Sequence, residues 1–190
     1  MTAMGHVYLY YGTGGGKTVA SLGLALRSIA HGHRVVIIQF LKHWKETGEY
    51  KAAKTLGPLY EIRQFGRPGW IKSGKGGDEV SVGGFEASLR GPSEEDKVAA
   101  REALRYAERV LKADHPPELL ILDEVCLAAH MGIVDTADVL ALLDKLPEET
   151  DAILTGRYTP GELIDRADFV NEVREVKAPS KFVSREGIQY

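Results

Sequence analysis

Hydrophobic positions along the chain fall into short continuous runs separated by stretches of helical spacing, so strand and helix are predicted to alternate. Val7 to Tyr11 reads as a strand, a glycine cluster follows, and Thr18 to Ala30, rich in Ala and Leu, predicts a helix closed by His31 and Gly32. Arg34 to Phe40 is almost wholly apolar, the pattern of a strand covered on both faces of a parallel sheet. Tyr60 to Phe65 is a weaker strand. Ser93 with Asp96 three residues on predicts an N-cap and a helix to about Ala113, whose Ala100, Leu104, Ala107 and Leu111 share one face. On its wet face Glu108 and Lys112 are expected to pair at i,i+4. Leu119 to Asp123 predicts a buried strand, Thr136 to Leu146 a helix, Ala152 to Thr155 a strand, Pro160 to Arg166 a short helix, and Phe169 to Val173 a last strand.

This alternation predicts right-handed crossovers and a mostly parallel sheet with helices on both faces, an α/β fold. Residues 66–92 break the periodicity with Gly69, Gly74, Gly76, Gly77, Gly83 and Gly84, and are read as a long variable loop. The tail from Lys177 to Tyr190 carries no strong signal.

Composition narrows the classes. At 190 residues a single domain spanning 1–190 is expected, and 44% apolar with 27% charged residues excludes intrinsic disorder as the main state. No apolar run approaches the roughly 18–20 residues that cross a bilayer, and residues 1–10 lack a secretory pattern, so a cytoplasmic home with no membrane partner is expected. The net charge of -3 gives no broad basic field for nucleic acid. Cys126 is the only cysteine, which excludes an intrachain disulfide and a paired-thiolate zinc site. It is read as a small buried hydrophobe. The six histidines show no metal-ligand spacing.

The chemistry lies between the first strand and the first helix, in Gly12-Thr13-Gly14-Gly15-Gly16-Lys17-Thr18. Glycines there let backbone N–H groups turn inward as an anion nest, and the helix N-terminus adds partial positive charge. Lys17 would meet phosphate oxygens and the Thr18 hydroxyl would ligate Mg²⁺. The loop is one residue shorter than the G-x-x-x-x-G-K-[ST] pattern, with Tyr11 where its first glycine would stand. At the end of LLILD, Asp123 and Glu124 bring two carboxylates to the carboxyl edge of the sheet, where open α/β folds bind ligands. Either could hold Mg²⁺; the rival reading is a cap and a solvated side chain. Arg157, after the AILT strand, is placed equally well for a phosphate or for a plain surface turn. Gln39 and Lys42 end at the same edge and are read as structural. No G-x-S-x-G elbow is present, and no base stands by Cys126 to make it a nucleophile.

The segments YYGTGGGKTVASLGLALRSIAHGHRVVIIQFLK, LLILDEV and ILTGRYTPGELIDRADFVNEVREVKAP resemble the ATP:corrinoid adenosyltransferases, over nearly the whole chain and least between Trp44 and Ser93. That family has the shortened loop G-x-G-x-G-K-T, which Gly12, Gly14, Gly16, Lys17 and Thr18 match. The resemblance implies a P-loop NTPase-like (RecA-like) fold, in which Co(I) of a corrinoid attacks the ribose 5′ carbon of ATP and expels inorganic triphosphate. The nucleophile is then the substrate's metal. The resemblance further implies that Gly12 to Thr18 cradle the triphosphate in a reversed sense, that Thr18 with Asp123 or Glu124 holds Mg²⁺, and that a reduced flavoprotein and a homodimer serve the reaction. Two departures stand out. Gly15 occupies a place often basic in the family, and the family's G-x-G-F-x-W aligns with Gly66-Arg67-Pro68-Gly69-Trp70, with Lys72 at the Trp position, or with Gly84-Phe85 and Ala87. Trp70 or Phe85 is expected either to wall the corrinoid, as the resemblance implies, or to serve as a plain hydrophobic anchor of the loop. A P-loop ATPase or nucleoside kinase, and a corrinoid or nucleotide carrier without turnover, are the rival readings.

Overall fold

The computed structural model describes residues 5–71, 80–82, 85–87, 89–180 and 185–189. Six strands form one parallel sheet: β1 (Val7–Tyr11), β2 (Val35–Phe40), β3 (Tyr60–Phe65), β8 (Leu119–Asp123), β9 (Asp151–Gly156) and β10 (Phe169–Glu172), in the spatial order β10-β1-β9-β8-β2-β3. This is the α/β, P-loop NTPase-like architecture expected. Between β3 and β8 the chain adds short strands β4 (Trp70–Ile71), β5 (Val80–Val82), β6 (Phe85–Ala87) and β7 (Leu89–Arg90), where only a loop is expected from sequence; β4 pairs with β7, and β5 with β6.

Alternate side chains of each central strand face opposite layers. Val36, Ile38, Phe40, Leu120, Leu122 and Leu154 pack beneath α3 (Glu94–Leu111), α4 (Val125–His130), α5 (Thr136–Leu143) and α6 (Gly161–Arg166). Val35, Ile37, Ile121 and Ile153 face α1 (Lys17–Ala30) and α2 (Gly48–Leu56). Both faces are therefore dry, which is why β2 and β8 read as unbroken apolar runs. The edge strand β10 is exposed throughout, yet Phe169 stacks on Tyr8 with ring centroids 4.6 Å apart, and Val7 N–H donates to Asp168 at 2.7 Å.

Several expectations need correction. Glu108 accepts from Lys145 at 2.6 Å, so the acid joins α3 to the turn after α5 across tertiary space, while Lys112 on its own helix acts on it by charge alone. The helix expected to reach Leu146 ends at Leu143. Helix α2 lacks an apolar stripe dense enough to announce it; its Tyr50, Ala53 and Leu56, partly buried, pack inward.

Asp96 is buried at the start of α3. It accepts from Ser93 N–H at 2.9 Å, as the predicted cap requires, and also from both terminal nitrogens of Arg90, one at 2.7 Å. The Arg90 hydrogen bonds hold its carboxyl below the usual range, against the opposing effect of burial. Asp96→Ala should therefore cost about 2 kcal/mol of stability, from the lost cap and the stranded guanidinium. Because the folded pKa is depressed, this contribution is present above about pH 4 and fades as the pH falls through the folded value. Urea unfolding of both proteins at neutral and acid pH checks it; an equal gap at both would overturn the assignment.

Candidate functional site

In a parallel sheet all strands end on one edge, and here β1, β2, β8 and β9 deliver four loops to it. The loop after β1 is held down from behind. Gly14 N–H donates to Val173 O at 2.9 Å, and Val173 N–H to Tyr11 O at 2.7 Å. The backbones approach so closely that a Cβ on Gly12 would lie 2.5 Å from Val173 O, and one on Gly14 2.8 Å from Arg174 C. Gly12 also has φ of 111° and Gly16, capping α1, φ of 99°, conformations that side chains disfavour. Gly15 has neither constraint: a Cβ there would meet nothing within 4 Å. Thr13 is exposed at the loop's tip.

Lys17 folds back over this loop. Its Nζ donates to Gly14 O at 2.6 Å, and the residue is 5% exposed. Burial lowers its pKa, with the Glu124 charge opposing and Arg157 reinforcing the shift.

Asp123, at the end of β8, is the hub of the edge and is fully buried. Its Oδ1 accepts from Thr18 Oγ1 at 2.8 Å and Thr155 Oγ1 at 2.7 Å; its Oδ2 accepts from Gln39 Nε2 at 3.0 Å and faces Lys42 Nζ at 2.7 Å. Burial would raise its pKa, but the Lys42 charge and these hydrogen bonds outweigh that and hold the carboxyl low. Lys42 is correspondingly held high, since its partner Asp123 more than offsets burial. Gln39 and Lys42, read from sequence as structural, thus belong to the site. Nothing local marks them, because Asp123 lies far along the chain.

Glu124 behaves differently from its neighbour. Its φ of 62° caps α4, its N–H donates to Thr155 Oγ1 at 3.0 Å, and its Oε2 is buried without a hydrogen-bond partner. Burial, and then the Asp123 charge, raise its pKa. The rival reading, a cap from Asp123 and a solvated Glu124, does not describe the pair: Glu124, not Asp123, stands at the N-cap of α4, and Glu124 is half-buried with Oε2 shut off from solvent. Arg157 is exposed, within electrostatic reach of Lys17 and Glu124. Cys126 is buried, as expected, and its thiol is pushed up to about 12 by burial. Trp70 opens β4 and Phe85 opens β6, but their side chains, like Lys72 and Gly84, lie outside the described residues.

Thr18 Oγ1, the Asp123 carboxylate and the partnerless Glu124 Oε2 form a set of hard oxygen donors, which suits Mg²⁺. Among the described residues no group of three or more His, Cys, Asp or Glu could hold a metal ion. No helix among the described residues is long and apolar enough to cross a membrane.

Known proteins resemble this chain over most of its length. The family described as ATP:corrinoid adenosyltransferase BtuR/CobO/CobP matches residues 3–190. A relative from Escherichia coli strain K12, named corrinoid adenosyltransferase, is 28% identical over 173 residues, covering 91% of this chain and 78% of the relative. A protein of the same name from Sinorhizobium is 27% identical over 190 residues, covering 98% and 80%. One from Salmonella typhimurium is 27% identical over 173 residues, covering 91% and 78%.

Proposed function

Because the chain belongs to the ATP:corrinoid adenosyltransferase family, we propose that its sheet edge binds the triphosphate of ATP and directs the 5′-deoxyadenosyl group onto Co(I) of a corrinoid. Cobalamin is the corrinoid proposed, in adenosylcobalamin synthesis or salvage. The observation that carries this reading is the pairing of a contracted glycine loop, backed by Val173, with the bonded Thr18–Asp123 pair.

In this reading the N–H groups of residues 12–18 and the Lys17 ammonium neutralise charge that grows on the departing triphosphate, which stabilises the transition state more than the ground state. Thr18 and Asp123, with Glu124, hold Mg²⁺, which when bound offsets the same charge as a Lewis acid. Arg157, exposed beside Lys17, is suited to a terminal phosphate oxygen. The chain need supply no nucleophile of its own, and a thiol as basic as that of Cys126 supports that view. Trp70 and Phe85 are proposed walls of the corrinoid pocket, and the open space beside Gly15 leaves one phosphate contact to be met by another group. A reduced flavoprotein as electron donor and a homodimer are supported by the family resemblance alone, and a cytoplasmic setting by the single cysteine.

Anaerobic incubation with Mg²⁺, ATP and cob(I)alamin should yield inorganic triphosphate and a light-sensitive adenosylated corrinoid in equal amounts. Release of orthophosphate without a cobalt–carbon product would overturn the reading in favour of an ATPase.

A further inference from the structure

The Lys42 ammonium stands 2.7 Å from Asp123 Oδ2 and 3.5 Å from Thr18 Oγ1, against the same two side chains proposed to hold Mg²⁺. Two cations crowded onto one carboxylate and one hydroxyl repel strongly in a buried site. The backbone that carries Lys42 is fixed: Leu41 has φ of 62°, its N–H donates to Phe65 O at 3.1 Å, and a Cβ on Gly66 would lie 2.4 Å from Leu41 C. The side chain has more freedom, being 27% exposed. A second acid waits beside it, for Glu49 Oε1 on α2 is 3.8 Å from Nζ. Gln39 Nε2 bridges the two acids, at 3.0 Å from Asp123 and 3.3 Å from Glu49, while Tyr60 OH donates to Glu49 O at 3.0 Å and steadies that turn of α2.

We propose that Lys42 is a tethered competitor of the divalent cation: it neutralises Asp123 until ATP brings the metal, then passes to Glu49, so that metal and nucleotide enter together. This rests on the proposed metal role of Thr18 and Asp123. The shift from one carboxylate to the other keeps the ammonium paired throughout, which is why Glu49 is needed as well as Asp123. Metal bound without nucleotide would have to displace the lysine unaided, whereas the triphosphate supplies the negative charge that makes three positive charges tolerable in one place.

The test uses Mn²⁺ as a spin probe on the full chain, titrated with and without ATP. Wild type should bind Mn²⁺ weakly alone and far more tightly with ATP. Lys42→Met should tighten nucleotide-free binding on the order of tenfold or more, by removing one charge a few ångströms away, and Lys42→Arg should return it towards the wild-type value. Glu49→Gln, which keeps the shape of α2 and deprives the lysine of its second seat, should weaken Mn²⁺ binding in the presence of ATP severalfold. Unchanged or weaker nucleotide-free binding in Lys42→Met overturns the proposal, and if that variant does not fold, unchanged Mn²⁺ binding by Glu49→Gln with ATP overturns it instead. Wild type that binds no Mn²⁺ even with ATP would remove the metal role of Thr18 and Asp123 itself, a different failure from the first two.

Discussion

A Lys17→Ala enzyme is expected to lose about a thousandfold in adenosyl transfer, while unfolding at nearly the wild-type temperature. The size follows from what such a group does: a preorganised cation aimed at charge developing on a leaving polyphosphate is worth roughly 10³-fold or more in rate. The small effect on folding follows from its position. Among the described residues Lys17 Nζ bonds the loop carbonyl of Gly14 alone, at 2.6 Å, and its partners by charge, Glu124 and Asp123, take no hydrogen bond from it. Burial already lowers its pKa, so removing it relieves a desolvated charge even as it leaves Gly14 O without a donor. Turnover of single-turnover Co(I) substrate with saturating ATP is the measurement, and a rate within a few-fold of wild type would remove Lys17 from the leaving-group site. Lys17→Arg should not rescue, because a forked guanidinium cannot occupy the narrow space over the Gly14 carbonyl that the ammonium fills.

Asp123→Ala should do the reverse to the balance of effects: activity and stability fall together. The carboxylate is fully buried and takes hydrogen bonds from Thr18, Thr155 and Gln39 while pairing with Lys42. Its loss takes from Lys42 its nearer carboxylate, leaving Glu49 at 3.8 Å, and leaves three donors short of an acceptor, a change that costs about 3–5 kcal/mol for a buried ion pair. For a chain of this size that is a drop in melting temperature of roughly 6–20 °C. Asp123→Asn, which keeps the shape and one carbonyl oxygen but turns an amide donor towards Gln39 or Lys42, should lose less stability and nearly as much activity. An alanine variant that melts with wild type would mean that the cluster brings the chain no net stability, and that its arrangement serves binding alone.

The strand pattern and the glycine loop were legible because each depends on residues close in sequence. Val7–Tyr11 begins and ends as its apolar run does, and α1 starts one residue before the predicted Thr18 because Gly16 itself caps it. The Ser93–Asp96 cap is likewise a local device. What local pattern could not reach was α2, whose inward residues Tyr50, Ala53 and Leu56 are too sparse to read as a stripe, and the short helix α4, which starts where Glu124 turns left-handed. The bonds of Lys42 and Gln39 to Asp123 were hidden for the same cause. A lysine and a glutamine at a strand's end look like ordinary solvated residues until the sheet order puts β2 beside β8.

Taken alone, then, the order of amino acids determined the alternating strands and helices, the glycine turn between β1 and α1 and the family, since periodicity, glycine placement and motif spacing act over a few neighbours. Tertiary structure decided which acid does what. Thr18 and Gln39 reach Asp123 across 105 and 84 positions, so only the parallel stacking of strands, which gathers their ends on one edge, separates the buried and fully bonded Asp123 from the partnerless Glu124 beside it.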